Sequence, residues 1–176
     1  MRLNLFSLAL FLILTGVSTA EEQDAATSWN VDYGRSRVDD SAEIYATTQA
    51  VDARKNDVGA VSTLAAFCQE KRIGLILQAE RYWGIPVRGN GYEVIIRIDG
   101  AAATRRTWGY AATGDIAFYP GNAVAFLKSL AGKKKMFVRV TDGLDVAHES
   151  DFNIEGADEI ARIIQAACSL TGAKSR

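Results

Sequence analysis

Apolar residues recur along this chain with two periods, and the change from one to the other divides it. Through the first two thirds they tend to alternate with polar residues, the two-residue period of half-buried strands. Ala42, Ile44 and Ala46 alternate with Glu43, Tyr45 and Thr47. Tyr92, Val94, Ile96 and Ile98 line one face of a strand whose other face carries Glu93, Arg97 and Asp99, with Ile95 interrupting its polarity. Met136, Val138 and Val140 alternate with Phe137, Arg139 and Thr141. The same reading predicts strands over residues 28–37, 42–53, 72–80, 105–110, 115–119 and 146–153, joined by short polar turns. Residues 61–68 are apolar in a less regular pattern and end at Cys68.

The second period is helical. Ala157, Ile160, Ala161, Ile164, Ala167 and Cys168 recur at three- and four-residue spacing after Gly156 and share one face of a helix. A shorter helix starts after Pro120-Gly121-Asn122, with Asn122 as N-cap, Ala123, Phe126, Leu127 and Leu130 as its buried stripe, and Gly132 at its end. Short turns between neighbouring strands favour antiparallel pairing over parallel crossovers. The expected fold is therefore α+β: an antiparallel sheet of about seven or eight short strands with two helices packed on it and one disulfide.

The N-terminus sets the context. Arg2, an apolar run over residues 3–16 and Ser18-Thr19-Ala20 have the layout of a signal peptide over residues 1–20, too short for a comfortable membrane span. A flexible lead-in over 21–28, one domain over 29–170 and a polar tail over 171–176 complete the division. The expected product is an exported, soluble periplasmic protein with no stable membrane anchor after cleavage. Of 20 basic and 21 acidic residues only Arg2 falls in the signal, leaving a net charge of −2. So balanced a surface gives no reason to invoke nucleic acid or an anionic membrane. Two cysteines in an exported chain point to one disulfide, Cys68 to Cys168, and two buried free thiols are the rival reading.

Chemistry is sparse. His148 is the only histidine and lies in no nucleophile-elbow motif, so a solvent-facing strand position is the plainer reading than a catalytic base. One histidine and two paired cysteines furnish no zinc set, and Asp39, Asp40, Asp142 and Asp145 read as turn residues. No phosphate-binding glycine loop follows a strand, so no cofactor, metal or catalytic residue is expected. Arg97 and Arg139 lie on the more polar faces of their strands, as a solvent-facing pair or an anion clamp. Tyr82, Trp83 and Trp108 fall in loop-like segments, either as core lids or as a recognition patch, since Trp and Tyr are enriched at binding hot spots.

The order of these features resembles the VasI-like family of exported accessory proteins associated with bacterial type VI secretion. The matching features are Trp29, the turn Val38-Asp39-Asp40-Ser41, the strand ending at Cys68, Arg97-x-Asp99, Trp108, the helix over 124–130, the strand over 136–140, and Phe152, Gly156 and Cys168. The resemblance implies a non-enzymatic protein that works by contact with protein partners in the cell envelope. It carries no catalytic residues. Two other functions fit the same residues: a binding module for a peptide, glycan or small anion using Tyr82, Trp83, Arg97, Trp108 and Arg139, and an inhibitor of a cell-wall hydrolase.

Overall fold

The computed structural model describes residues 28–51, 59–86 and 89–170. The expected signal peptide, most of the expected lead-in and the expected tail lie outside these residues. Ser28, the last residue of the expected lead-in, is tied down: its hydroxyl donates to the Asn153 carbonyl at 2.8 Å.

Among the described residues nine antiparallel strands form one sheet: β1 (Asn30–Arg35), β2 (Ala42–Gln49), β3 (Val61–Gln69), β4 (Arg72–Ala79), β5 (Tyr92–Ile98), β6 (Thr104–Tyr110), β7 (Ile116–Phe118), β8 (Lys135–Thr141) and β9 (Ala147–Asn153). Helix α1 (Ala123–Ser129) separates β7 from β8, and α2 (Ala157–Leu170) follows β9. The strand order is β1-β2-β3-β4-β7-β6-β5-β8-β9. After β4 the chain therefore crosses to β5, and β6 and β7 fill the space between. The α+β class with a Cys68–Cys168 disulfide holds, with one strand more than the upper expectation. The added strand is β3, which the resemblance placed before Cys68 but the alternation left unassigned. Its register shifts between Val61 and Thr63, and Leu64, Ala65 and Ala66 are buried on successive positions, so the two-residue period is blurred there.

The sheet curls until its far edge meets the end of β2. Ala50 bridges to Phe152, Val51 N–H donates to the Asp151 carbonyl at 2.8 Å, and the Thr48 hydroxyl donates to the Asn153 carbonyl at 3.0 Å. The concave face is apolar: Ile44 and Ala46, Leu64, Ala66 and Cys68, Leu75 and Leu77, Tyr92, Val94 and Ile96, Met136, Val138 and Val140, and Phe152. Helix α2 lays Ala157, Ile160, Ala161, Ile164 and Ala167, the face read from its spacing, against β2, β3 and β4. Asp158 and Glu159 in its first turn complement the positive end of the helix. Cys168 reaches Cys68 from that helix, with 5.8 Å between the Cα atoms. The Asn122 side chain accepts from Ala125 N–H at 2.9 Å, as a helix N-cap does. Among the described residues no helix is long and apolar enough to cross a membrane.

Candidate functional site

The crossover from β4 to β5 carries Tyr82 and Trp83. Trp83 is buried. Its indole N–H donates to the Gly59 carbonyl at 2.6 Å and its backbone N–H to Gly114 at 2.7 Å, while its carbonyl accepts from Gly143 N–H at 3.1 Å. Three separate turns thus converge on one tryptophan. Its ring meets Tyr92 edge-on at 5.3 Å, and the Tyr92 hydroxyl donates to the Gly84 carbonyl at 2.6 Å. Burial, more than the nearby Tyr82, Asp115 and Asp142, pushes the Tyr92 phenol up to about 12. Trp108 is buried elsewhere, edge-on against Tyr119 at 5.1 Å, with Tyr119 in turn on Phe126.

The sequence left two readings open for these aromatics, core lids or a recognition patch. Trp83 and Trp108 are core lids, each with its own ring partner, because loops and helix α1 close over them. Of the three aromatics only Tyr82 is exposed, at 64%. Its ring lies over Gly114, which has a positive φ and leaves no room for a Cβ.

Arg97 and Arg139 do come to one surface. Ile95 pairs with Arg139 and Arg97 with Phe137 across β5 and β8, and both arginines line a groove of about 670 Å³ with Ile95, Phe137, Lys135 and Asp151. Each guanidinium is already engaged. Arg97 donates to the carbonyls of Gly100 and Ala101, at 3.0 and 3.2 Å, bracing its own turn. Arg139 donates to Glu149 at 2.7 Å. The two therefore do not form an open clamp.

His148 departs from its expected solvent-facing position. It pairs with Val140 on β8, so it faces inward, and it is buried with Nε2 3.0 Å from Asp142 Oδ2. The other carboxylate oxygen of Asp142 accepts from Leu144 and Val146 N–H at 2.8 and 2.9 Å. The pair thus fastens the β8–β9 turn to the strand beneath. Ser150 and Ser62, which could have served as nucleophiles, donate to the carbonyls of Glu149 and Gln78. Asp39 accepts from Ser41 N–H at 3.1 Å, the turn role expected of it. Among the described residues no group of three or more His, Cys, Asp or Glu side chains is placed to hold a metal ion.

What sequence reasoning missed is that Tyr82 has exposed apolar neighbours, Ile85 and Leu144. Tyr82 and Leu144 (77% exposed) flank Gly84, and the backbone of Ile85 (43% exposed) lies against Gly143. A Cβ at Gly84 would stand 4.0 Å from the Tyr82 ring and 3.9 Å from Leu144 Cγ, and one at Gly143 would stand 2.7 Å from the Ile85 carbonyl oxygen. The signal in sequence was the lone Leu144 in an otherwise polar turn, Asp142-Gly143-Leu144-Asp145.

No family model matches the chain, and no curated protein matches it. Among solved structures it is similar to invasion associated protein B from Bartonella henselae, at 15% identity and a TM-score of 0.48, covering 80% of this chain and 92% of that one. A likeness at that level carries no argument about this protein.

Proposed function

We propose that this protein is exported to the periplasm and acts there without catalysis, as an accessory protein that works by contact with protein partners in the cell envelope. The observation that carries the reading is the cluster of Tyr82, Ile85 and Leu144, apolar side chains left in water on loops that buried bonds hold in place. Apolar groups gathered on a fixed surface suit protein contact, because the partner removes them from water without first having to order them. The engagement of His148, Asp142, Ser62, Ser150 and Arg139 in structural bonds supports the non-catalytic part. The disulfide supports an oxidising compartment. The order of motifs shared with VasI-like proteins supports work beside a type VI secretion machine.

A photo-crosslinking residue placed at Leu144, in cells making the full chain, tests this. We expect a discrete adduct with another envelope protein that is lost in the Tyr82→Asp, Ile85→Asp variant, and none from the exposed Ala166 on the far helix. No adduct from Leu144, or one that survives the double substitution, overturns the reading.

A further inference from the structure

The two ends of the sheet are treated differently. The β9 edge is covered by Ala50, Val51, Thr48 and Ser28. At the other end β1 has β2 as its one strand neighbour among the described residues. Ser36 N–H donates to the Ser41 carbonyl at 2.8 Å, and that pair continues the β1–β2 register in which Asn30 faces Thr47. Bonded pairs alternate along an antiparallel ladder, so Asn30, Asp32 and Gly34 turn their backbone groups toward β2. Val31, Tyr33 and Arg35 turn theirs outward. The strand carries no proline, no lysine and no register shift, the usual devices against edge pairing.

Gly34 is the second observation. A glycine inside a strand weakens it and often marks a place where another backbone approaches closely. Among the described residues nothing explains it. Its φ is not positive, and an added Cβ would meet only Glu43 Cβ, at an ordinary 3.9 Å. By contrast Gly74 makes room for the Phe67 ring and Gly91 for the Trp108 backbone.

We propose that β1 is a dimerisation edge, pairing antiparallel with β1 of a second copy of this chain so that the two Gly34 residues face each other on the two-fold axis. Alternation requires residues of like parity to face one another, so the axis passes through a residue. At Asp32 it would set two carboxylates opposite each other, which is repulsive. At Tyr33 it would bring the two phenol rings together and leave each Arg35 against Val31. At Gly34 it places each Tyr33, 71% exposed in the single copy, beside the second copy's Arg35, whose guanidinium donates one N–H to its own Asp40 carbonyl at 3.2 Å and keeps its flat face for the ring. Guanidinium over phenol is favourable, and it occurs twice. Tyr33 and Arg35 then exchange backbone bonds across the axis, and the paired glycines occupy its centre. This surface is separate from the Tyr82, Ile85 and Leu144 cluster, and the inference does not rest on it.

Sedimentation velocity of the purified, oxidised protein, from low micromolar to hundreds of micromolar, is the test. We expect the mass to double with concentration, since a contact this small gives weak association. Tyr33→Pro removes an N–H that points away from β2, so its circular dichroism should match the parent while it stays monomeric. Tyr33→Lys should do the same without touching the backbone. Gly34→Cys has room for its side chain and should join two copies by a disulfide under mild oxidation. A monomer at every concentration overturns the proposal, as does dimerisation unchanged by both Tyr33 variants. Failure of Gly34→Cys to link a persisting dimer overturns the register. No other protein is in the cell, so failure here leaves the crosslinking test of the envelope partner untouched.

Discussion

Single side chains hold the loops of this protein, and Asp99 shows how one of them reports on pH. It sits at positive φ after β5, and its carboxylate accepts from Lys135 and Lys134 N–H at 2.9 and 3.1 Å. Those bonds, Lys135 first, hold its pKa below the ordinary 3.8. A carboxyl lowered on folding adds stability above its unfolded value, and that stability is lost as the pH falls through the folded one. Asp99→Asn should therefore be less stable at neutral pH and lose less on acidification below about pH 4. Urea midpoints measured against pH check this; parallel curves would mean the two amide bonds contribute nothing. Asp39, lowered by its bonds to Ser41, leaves some acid sensitivity in the variant. Such roles were partly legible. Asp39 and Asp142 announce turns by residue type, but the partners of Trp83 are backbone groups of Gly59, Gly114 and Gly143. No side-chain pattern marks a carbonyl that will accept a bond from a loop far along the chain. The burial of His148 was hidden for a related reason: its strand reads as polar, and its carboxylate partner is itself a turn residue.

Local devices fix the elements, and the β3–β4 hairpin is the tightest of them. Gln69 pairs with Arg72, which leaves a two-residue loop with Glu70 at φ 48° and Lys71 at φ 63°. Two left-handed residues in such a loop match the strand twist, but the favoured sequence there is Asn-Gly or Asp-Gly. A side chain in that conformation costs about 1–2 kcal/mol, partly offset by the greater freedom that glycine has in the unfolded chain. Lys71→Gly should thus stabilise the protein by about 0.5–1 kcal/mol, read as a higher denaturation midpoint at unchanged slope. A lower midpoint would show that the Lys71 side chain, 3.8 Å from Asp39, matters more than its backbone. Helix α2 was fully legible because its stripe, its Gly156 entry and its acidic first turn lie within one stretch of chain. Strand β3 was not, since its bulge and its burial on both faces erase the alternation that marks a strand. Between these, β5 and β8 showed their inner faces in sequence because one side of each meets the core and the other meets water.

The whole molecule depends on two closures, one covalent and one of the sheet. The α+β class was readable from turn lengths and periods. The curl that brings Ala50 to Phe152 was not, because no side-chain pattern marks a backbone contact so distant in the chain, nor the step that seats β7 beside β4. The disulfide joins β3 to α2 across 100 positions, and Cys68 is wholly buried. Thiol titration of the denatured, unreduced protein should find close to no free sulfhydryl. Cys68→Ala with Cys168→Ala should cost up to about 5 kcal/mol, the chain-entropy figure for so long a loop and an upper-end value. A loss below about 1 kcal/mol would show that α2 and the closed sheet already hold the chain ends, with the bond as a late addition. The same link bears on mechanical load. Pulled from its two ends, the oxidised protein can pay out only the segments outside the cysteines, while everything from β4 to most of α2 travels as a closed ring. Tension on the chain would peel β1 and β2 first, and of the three turns that meet at Trp83 the Gly59 turn alone lies outside the ring and bears the force.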